Sequence, residues 1–437
     1  MKRILTALAI LLVALMVGAG WYVYSKQPTR QGTVELAHLQ GSVTVRYDDR
    51  GVPHIRAENE TDLYRALGYV HAQDRLFQME IMRRLSRGEL AEVLGPKLLE
   101  TDKLFRSLRI RERALSYVEH MDHESASWKA LQAYLDGVNQ YQDRHASPME
   151  FDVLGIPKRP FTAEDTISVA GYLAYSFAAA FRTEPLLTYV RDQLGNDYLK
   201  VFDLDWQPKG ALNLAAGDWK DLGAIAQLSE QALADNGLPQ FEGSNAWAIS
   251  GSHTKSGKPL LAGDPHIRFS VPSVWYEAQL SAPGFELYGY HNALVPVAFL
   301  GHNKDFGWSL TMFQNDDLDL IAEKVNPDNP NQVWYHDKWV DMTSSEQQIA
   351  VKGQDPVTLT LRSSPHGPII NDVLGENAGK TPIAMWWAFL DTENPILDGF
   401  YQLNRADTLA KARAAAAKVQ APGLNIVWAN AKGDIGW

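Results

Sequence analysis

The pattern of hydrophobic and polar positions divides the chain into a helical first part and a strand-rich second part. Hydrophobic residues recur at roughly helical spacing at Leu63, Leu67, Val70, Leu76, Phe77, Ile81 and Leu85. Two further helices are predicted within 98–144, and the stretch 167–180 is apolar nearly all round, which predicts a buried helix. After residue 244 short alternating runs replace this pattern. The sequence therefore predicts an α+β protein.

The strand-rich part begins at a Gly-Ser junction, Gly243-Ser244, which is expected to form a loop leading straight into a strand. Strands are predicted at 245–250, 259–262, 275–280, 285–290, 295–300, 308–312 and 318–325. The last residues predict a hairpin whose return strand, 435–437, is cut in mid-strand. Because such a cut leaves backbone groups unpaired, we expect the chain to be a fragment of a longer protein.

Between the two parts lies a connector, 206–243, that is rich in Gly, Ala and Asp and holds one predicted helix, 224–234. We expect it to be exposed, as segments that undergo proteolytic processing commonly are.

The N-terminus has the features of an export signal. Lys2 and Arg3 precede an uncharged stretch from Ile4 to Tyr24. As a helix this stretch would be ~31 Å long, about the thickness of a bilayer core, so a retained anchor is an alternative to cleavage after the small residues at 17–19. Either reading predicts a periplasmic or other extracytoplasmic protein, with inner-membrane anchoring left open.

Composition narrows the function classes. The 437 residues are 45% hydrophobic and 21% charged, as in a globular protein with two or three structural units. The net charge of -11 argues against a nucleic-acid partner, because binding to phosphates requires an excess of Lys and Arg. There is no cysteine, which excludes disulfides, a thiolate nucleophile and Cys-ligated metals.

The Gly-Ser junction offers a specific chemistry. A serine hydroxyl is a poor nucleophile unless a base takes its proton. If the chain were cut between Gly243 and Ser244, the new α-amine, with a pKa near ~8, could be that base. Gly243 would give the backbone the freedom to bring the hydroxyl onto the preceding carbonyl. A Gly-Ser dipeptide alone occurs in many loops, so whether this junction is functional must be judged from the other motifs in the chain.

Those motifs are 49–55, 68–79, 87–95, 243–247, Asp264-Pro265-His266, Gly301-His302-Asn303 and Asp316-Asp317-Leu318-Asp319. In this order, from about residue 40 to the end, they resemble the penicillin acylase family of N-terminal-nucleophile hydrolases, which includes cephalosporin and acyl-homoserine-lactone acylases. Each motif is modest alone, and together they are specific.

The resemblance implies the four-layer αββα sandwich of that class, with a helix-rich N-terminal segment and with its C-terminal part missing here. The implied organisation is a signal peptide or signal anchor at 1–26, an α segment at 27–220, a spacer at 221–243 and the incomplete nucleophile-bearing β segment at 244–437. Cleavage would give a heterodimer of the α and β segments.

The resemblance also assigns catalytic roles. Ser244 matches the nucleophile, Gly243 the residue before the scissile bond, and His266 a histidine held near the nucleophile. Met312 matches the position whose backbone N–H forms half of the oxyanion hole. The other donor would lie beyond Trp437, so we expect this chain alone to be weakly active or inactive.

One structural Ca²⁺ is implied, held by Glu184, Asp316, the Leu318 carbonyl and Asp319. Oxygen ligands of this kind suit Ca²⁺. From the residues alone, Asp317 and Asp319 would share one face of a strand and Asp316 the other. A solvated acidic turn is the alternative interpretation.

The acyl pocket of this family is apolar and lined from both segments, which makes Phe177, Phe181, Ile267 and Phe299 the candidates, with plain core packing as the alternative. The acyl chain and leaving group stay open among penicillins, cephalosporins, acyl-homoserine lactones and peptides.

The sequence thus predicts an exported amidohydrolase acting on small N-acyl amides, activated by self-cleavage. Two alternatives remain. One is a membrane-anchored binding protein that kept the fold and lost the reaction. The other is a conventional serine hydrolase without self-cleavage, although no Gly-x-Ser-x-Gly motif supports its α/β-hydrolase version.

Overall fold

The computed structural model describes residues 2–178, 180–202, 219–235, 241–313 and 316–437. Its α-helices are α1 Lys2–Ser25, α2 Glu60–Arg87, α3 Ala91–Leu94, α4 Leu99–Ser107, α5 Ile110–His120, α6 Ala126–Arg144, α7 Met149–Leu154, α8 Ala163–Phe177, α9 Ala180–Leu194, α10 Trp219–Asp235, α11 Ala388–Asp391, α12 Ile396–Leu403 and α13 Leu409–Ala416. Its strands are β1 Thr44–Tyr47, β2 Pro53–Arg56, β3 Phe241–Ile249, β4 Leu260–Ile267, β5 Tyr276–Ala282, β6 Phe285–His291, β7 Leu300–Asn303, β8 Phe306–Met312, β9 Leu318–Ala322, β10 Val325–Asn326, β11 Asn329–Tyr335, β12 Lys338–Asp341, β13 Thr343–Ile349, β14 Val357–Ser364, β15 Gly367–Pro368, β16 Ile383–Trp387, β17 Leu424–Asn430 and β18 Ile435–Gly436.

The helical part is built around the close packing of α2 on α6. A Cβ on Gly68 would lie 1.9 Å from the Tyr134 carbonyl oxygen, and one on Gly137 would lie 1.9 Å from that of Arg65. Only glycine permits this approach of the two backbones. The predicted all-round apolar helix is α8, which is buried along most of its length.

The main sheet has the strand order β1-β2-β5-β6-β7-β8-β17-β18, in which β2 and β5 run parallel and the other pairs antiparallel. Helix α2 covers one face of it. There the ring of His71 stacks on Tyr276 of β5 at 4.1 Å, and the Tyr276 hydroxyl donates to Asp74 at 3.0 Å.

The opposite face carries the antiparallel pair β3–β4, which packs on β8 and β17. A Cβ on Gly263 would lie 1.8 Å from Ser309 Oγ, and one on Gly307 would lie 3.2 Å from a methyl group of Leu261. The described residues thus stack as helices, main sheet and strand pair. The α+β class is confirmed, while a four-layer sandwich stays a prediction.

Two local predictions in the strand-rich part differ from the structure. Gly243 and Ser244 lie inside β3 and pair with His266 and Pro265 of β4, because the partner strand supplies hydrogen bonds to a stretch whose polar residues suggested a loop. The predicted strand 295–300 is a buried connection, and β7 begins only at Leu300. Its apolar residues are covered on all sides without strand pairing.

The connector is packed where the structure describes it. Helix α10 extends the predicted 224–234 in both directions, and its Leu222, Ile225 and Ala232 are fully buried in the core. An apolar stripe on this helix therefore outweighs the exposed character that Gly, Ala and Asp suggested. Residues 203–218 and 236–240 of the connector lie outside the described part.

At the N-terminus, Arg3–Ser25 is long and apolar enough to cross a membrane, a property shared with signal sequences. The end of this helix contacts α7, where the Tyr22 hydroxyl and the Lys26 ammonium both bond Asp152, at 2.7 and 2.6 Å.

Candidate active site

Ser244 meets the end of β8 because the pair β3–β4 lies across that strand. The backbone N–H of Met312, the last residue of β8, donates a hydrogen bond to Ser244 Oγ at 3.2 Å. A backbone donor of this kind can stabilise negative charge that develops on an oxygen beside the hydroxyl. The structure thus brings together two of the residues predicted for catalysis.

The position of the Met312 peptide is fixed from the neighbouring strand. Asn425 of β17 donates through Nδ2 to the Met312 carbonyl and to the Thr311 hydroxyl, both at 3.0 Å. The Trp437 indole N–H in turn donates to Asn425 Oδ1 at 3.0 Å. Sequence reasoning missed Asn425, because only the pairing of β17 with β8 brings it beside Met312.

His266 lies against the residue that precedes Ser244. A Cβ on Gly243 would be 3.3 Å from His266 Nδ1, so a side chain there would press on the ring. The other ring nitrogen is 3.1 Å from the Asn245 amide nitrogen and 3.3 Å from an Asp264 carboxylate oxygen. No hydrogen bond joins His266 to Ser244 Oγ among the described residues.

Asp264 is a charged partner for this histidine. Desolvation tends to raise the pKa of Asp264, but hydrogen bonds from His266 and Asn245 lower it by more, so the carboxyl group stays below its ordinary pKa. The Asp264 carboxylate is therefore a hydrogen-bond partner that can hold the His266 ring beside Gly243.

A narrow apolar cavity of about 50 Å³ opens at Ser244. It is lined by Leu173, Phe177, Ser244, Pro265, Trp275, Asn292, Phe299, Leu300, Leu310, Thr311, Met312, Ile396, Phe400, Pro422 and Leu424. Residues before and after the Gly243-Ser244 junction both contribute. Because ligand pockets usually measure ~300–1,000 Å³, side chains must move before a ligand of ordinary size can enter.

Two of the four predicted acyl-pocket residues, Phe177 and Phe299, line this cavity. Ile267, the last residue of β4, does not line it. The side chain of Phe181 lies outside the described part of the structure. Sequence reasoning missed Asn292, whose polar side chain gave no signal in an apolar segment.

A carboxylate cluster forms between α9 and the start of β9. Oxygen atoms of Glu184, Asp316 and Asp319 all lie within 4.8 Å of one another. The Leu320 N–H donates to Glu184 at 3.0 Å. Burial, and then the charges of Asp319 and Asp316, raise the pKa of Glu184 to about 8. The raised pKa shows that ionising all three carboxyl groups together is unfavourable, a cost that a bound cation would offset.

Asp317 does not join the cluster. It is buried, with 6% of its surface exposed, and burial raises its pKa to about 6. Asp317 and Asp319 do not share a face, because β9 begins at Leu318, as predicted, and strand alternation therefore does not extend back to Asp317. The Leu318 carbonyl stays a predicted ligand.

The model of the penicillin amidase family matches residues 42–437. The chain therefore belongs to the penicillin amidase family.

The proteins that are similar to this chain carry different names. The acyl-homoserine lactone acylase QuiP of Pseudomonas aeruginosa is 30% identical over 95% of this chain and 51% of its own length. The penicillin acylase 2 proenzyme of Pseudomonas sp. strain SE83 is 30% identical over 83% of this chain and 48% of its own. The structure of a thermostable penicillin G acylase from Alcaligenes faecalis is 23% identical over 44% of this chain and 34% of its own, with a TM-score of 0.40. The chain spans about half the length of the curated relatives it matches.

Proposed function

We propose that this protein is an exported acylase that hydrolyses small N-acyl amides and is activated by cleavage of its own chain between Gly243 and Ser244. The observation that carries the proposal is the hydrogen bond from the Met312 N–H to Ser244 Oγ at the wall of an apolar cavity. The names of the relatives, acyl-homoserine lactone acylase and penicillin acylase, support it.

In self-cleavage, Ser244 Oγ attacks the Gly243 carbonyl carbon, and the chain shifts from the Ser244 nitrogen to its oxygen. Water then hydrolyses the resulting ester, which leaves a carboxylate on Gly243 and a free amine on Ser244. Since Gly243 has no side chain, His266 can lie directly beside the scissile bond. The two products form the α/β heterodimer.

In turnover, the new α-amine takes the proton of the Ser244 hydroxyl as it attacks the substrate carbonyl. With a pKa near ~8, roughly a tenth of this amine is neutral at pH 7. The Met312 N–H stabilises the oxyanion, and one such donor is typically worth ~10²–10³ in rate. The amine leaving group departs with the proton, and water releases the acyl group from Ser244.

A structural Ca²⁺ is part of the proposal. Glu184, Asp316, Asp319 and the Leu318 carbonyl would hold it, and a dication matches a cluster made only of oxygen ligands. Because Glu184 precedes the cleavage site and Asp316 and Asp319 follow it, the ion would link the two products. The ion would supply charge neutralisation, not a reaction step.

The proposal includes the complete αββα sandwich and a location outside the cytoplasm. The helix α1 supports export, as signal or as inner-membrane anchor, through its length and apolar composition.

The test is the intact mass of the protein, expressed from its full reading frame, beside Ser244→Ala and the control Ser252→Ala, which changes an exposed turn serine. We expect two fragments from the wild type and the control, the second beginning at Ser244, and one uncut chain from Ser244→Ala. An uncut wild type that still hydrolyses amides would support a conventional serine hydrolase. An uncut, inactive wild type would support the binding protein.

A further inference from the structure

Helix α10 lies in the stretch where the resemblance implies a spacer, 221–243, and a spacer that is cut out must be able to leave the fold. One face of this helix is 0 to 3% exposed, at Leu222, Ile225, Ser229 and Ala232. The opposite face is exposed, at Gly223, Ala224, Gln227 and Glu230. The buried positions follow helical spacing, so α10 has the pattern of a helix that packs on a core.

The buried face of α10 joins it to the helical part of the molecule. The helix packs on α9 and α4, and its apolar residues belong to the main hydrophobic core. The Ser229 hydroxyl is hydrogen-bonded to the Tyr175 hydroxyl of α8. Because α8 also supplies Leu173 and Phe177 to the cavity at Ser244, α10 supports a helix that forms part of the cavity wall.

The first turn of α10 bonds residues that follow the cleavage site. Asp221 accepts hydrogen bonds from Asn371 Nδ2 at 2.9 Å and from the Gly379 N–H at 2.7 Å. Asn371 is itself buried, and its Oδ1 accepts from the N–H of Ile383, the first residue of β16, at 2.8 Å. Helix α10 therefore contacts both of the segments that self-cleavage would separate.

We propose that α10 is not removed as a spacer and stays bound after self-cleavage, as the last helix of the α segment. This inference rests on the proposed function, because it describes the products of that cleavage. Losing α10 would expose core side chains to water and would take the Asp221 carboxylate from the buried Asn371 amide, and both changes are unfavourable. The α segment would then extend to Asp235, and a removed spacer would lie only after that residue.

Two alanines of α10 provide matched variants for the experiment. Ala232 is fully buried and Ala224 is exposed, so Ala232→Glu and Ala224→Glu add the same charged side chain to opposite faces of one helix. Each protein is expressed from its full reading frame, and the self-cut product is purified and treated with proteinase K. Mass spectrometry follows the loss of peptides from 219–235.

We expect the purified wild type to contain 219–235, and Ala224→Glu to lose these residues as slowly as the wild type does. Ala232→Glu should lose them at least ~10-fold faster, because an unpaired buried charge is unfavourable and a detached helix is open to protease. Faster loss of peptides from α6 would show that Ala232→Glu has unfolded the whole protein. The milder pair Leu222→Ala, on the buried face, and Gln227→Ala, on the exposed face, then replaces it.

A self-cut wild type that lacks 219–235 after purification would overturn the inference and leave self-cleavage intact. Equal digestion of the buried-face and exposed-face variants would overturn it as well. If the wild type is not cut before Ser244, the proposed self-cleavage fails, and digestion of the uncut chain decides the inference. Peptides from 219–235 that stay bound in the wild type and leave in Ala232→Glu would then support it, and their equal loss from both would contradict it.

Discussion

The surroundings of Ser244 and the carboxylate cluster at Glu184 are built in opposite ways. At Ser244 the key donor is a backbone N–H, and the surrounding cavity is apolar. At Glu184 the key groups are charged side chains from two elements that converge within 4.8 Å. The site at Ser244 depends on the placement of a backbone donor, and the cluster at Glu184 depends on the balance of charge.

This difference determines which kind of substitution should disrupt each site. Strand packing sets the distance between Ser244 and the Met312 N–H, so steric changes between the layers should affect it most. At the cluster, like charges at short range are unfavourable until a cation compensates them, so the loss of one carboxylate should affect it more than a small displacement. The predictions below test the two halves of this contrast.

The largest effect is expected from Gly263→Ala. Gly263 pairs with Ala246 of β3, and its new Cβ would lie 1.8 Å from Ser309 Oγ and 2.6 Å from the Ser309 Cβ. The pair β3–β4 must then shift from β8, and we expect self-cleavage to slow at least ~100-fold, the typical cost of losing an oxyanion donor. The fraction of cut chain is followed over time by intact mass.

Gly223→Ala is the matched control, because nothing lies within 4 Å of a Cβ at Gly223. It should be cut at the wild-type rate. Combining Gly263→Ala with Ser309→Gly removes the clashing side chain and should restore part of the rate. Wild-type cleavage of Gly263→Ala would mean that this strand packing does not position Ser244.

A smaller effect is expected at Asn425. Asn425→Leu removes the two hydrogen bonds that hold Met312 and Thr311, but it leaves the Met312 N–H in place. We expect self-cleavage to slow by about tenfold, as for the loss of one to two net hydrogen bonds. Gln348→Leu, which loses a single bond to Thr358 on an exposed hairpin, serves as control. If both variants are cut equally fast, Asn425 has no positioning role.

The carboxylate cluster should respond to Ca²⁺ and not to steric change. The wild type should gain melting temperature on addition of Ca²⁺, with a stabilisation of about 2.7 kcal/mol at one hundred times the dissociation constant. Glu184→Gln removes one ligand charge and should lose most of this shift, whereas Asp328→Asn, in an exposed turn, should keep it. Equal shifts in all three proteins would exclude the cluster as the binding site, and no shift in the wild type would exclude the ion.

The same contrast explains what the sequence could predict. Hydrophobic spacing predicted the buried helix α8 and the change to strands, because periodicity follows directly from burial. The motifs contain Ser244, and the family resemblance that they carry implied roles for Met312 and Glu184. Asn425 could not be found, because its role depends on the pairing of β17 with β8. Asp317 was misplaced because strand alternation was applied to it although it precedes β9, which begins at Leu318.

The smallest effect is expected at a buried histidine. His291, which precedes Asn292, is fully buried, and burial lowers its pKa to about 4 from about 6.5 in the unfolded chain. Between these values the unfolded chain binds the proton and the folded protein does not. Stability is therefore complete above pH 6.5 and falls as the pH drops toward 4.

From pH 7 to pH 5 this group should cost about 2 kcal/mol of the free energy of unfolding. Carboxylates also titrate between pH 7 and pH 5 and change the stability of every variant. The contribution of His291 is therefore obtained by comparing variants with and without this histidine. The melting temperatures of the wild type, His291→Asn and the control His120→Asn, which changes an exposed histidine, are compared at both values. The wild type and the control should lose more melting temperature than His291→Asn, because only they must keep a buried imidazole neutral. An equal loss of melting temperature in all three proteins would mean that His291 takes up its proton in the folded protein as readily as in the unfolded chain. The surroundings of His291 would then accommodate a buried positive charge.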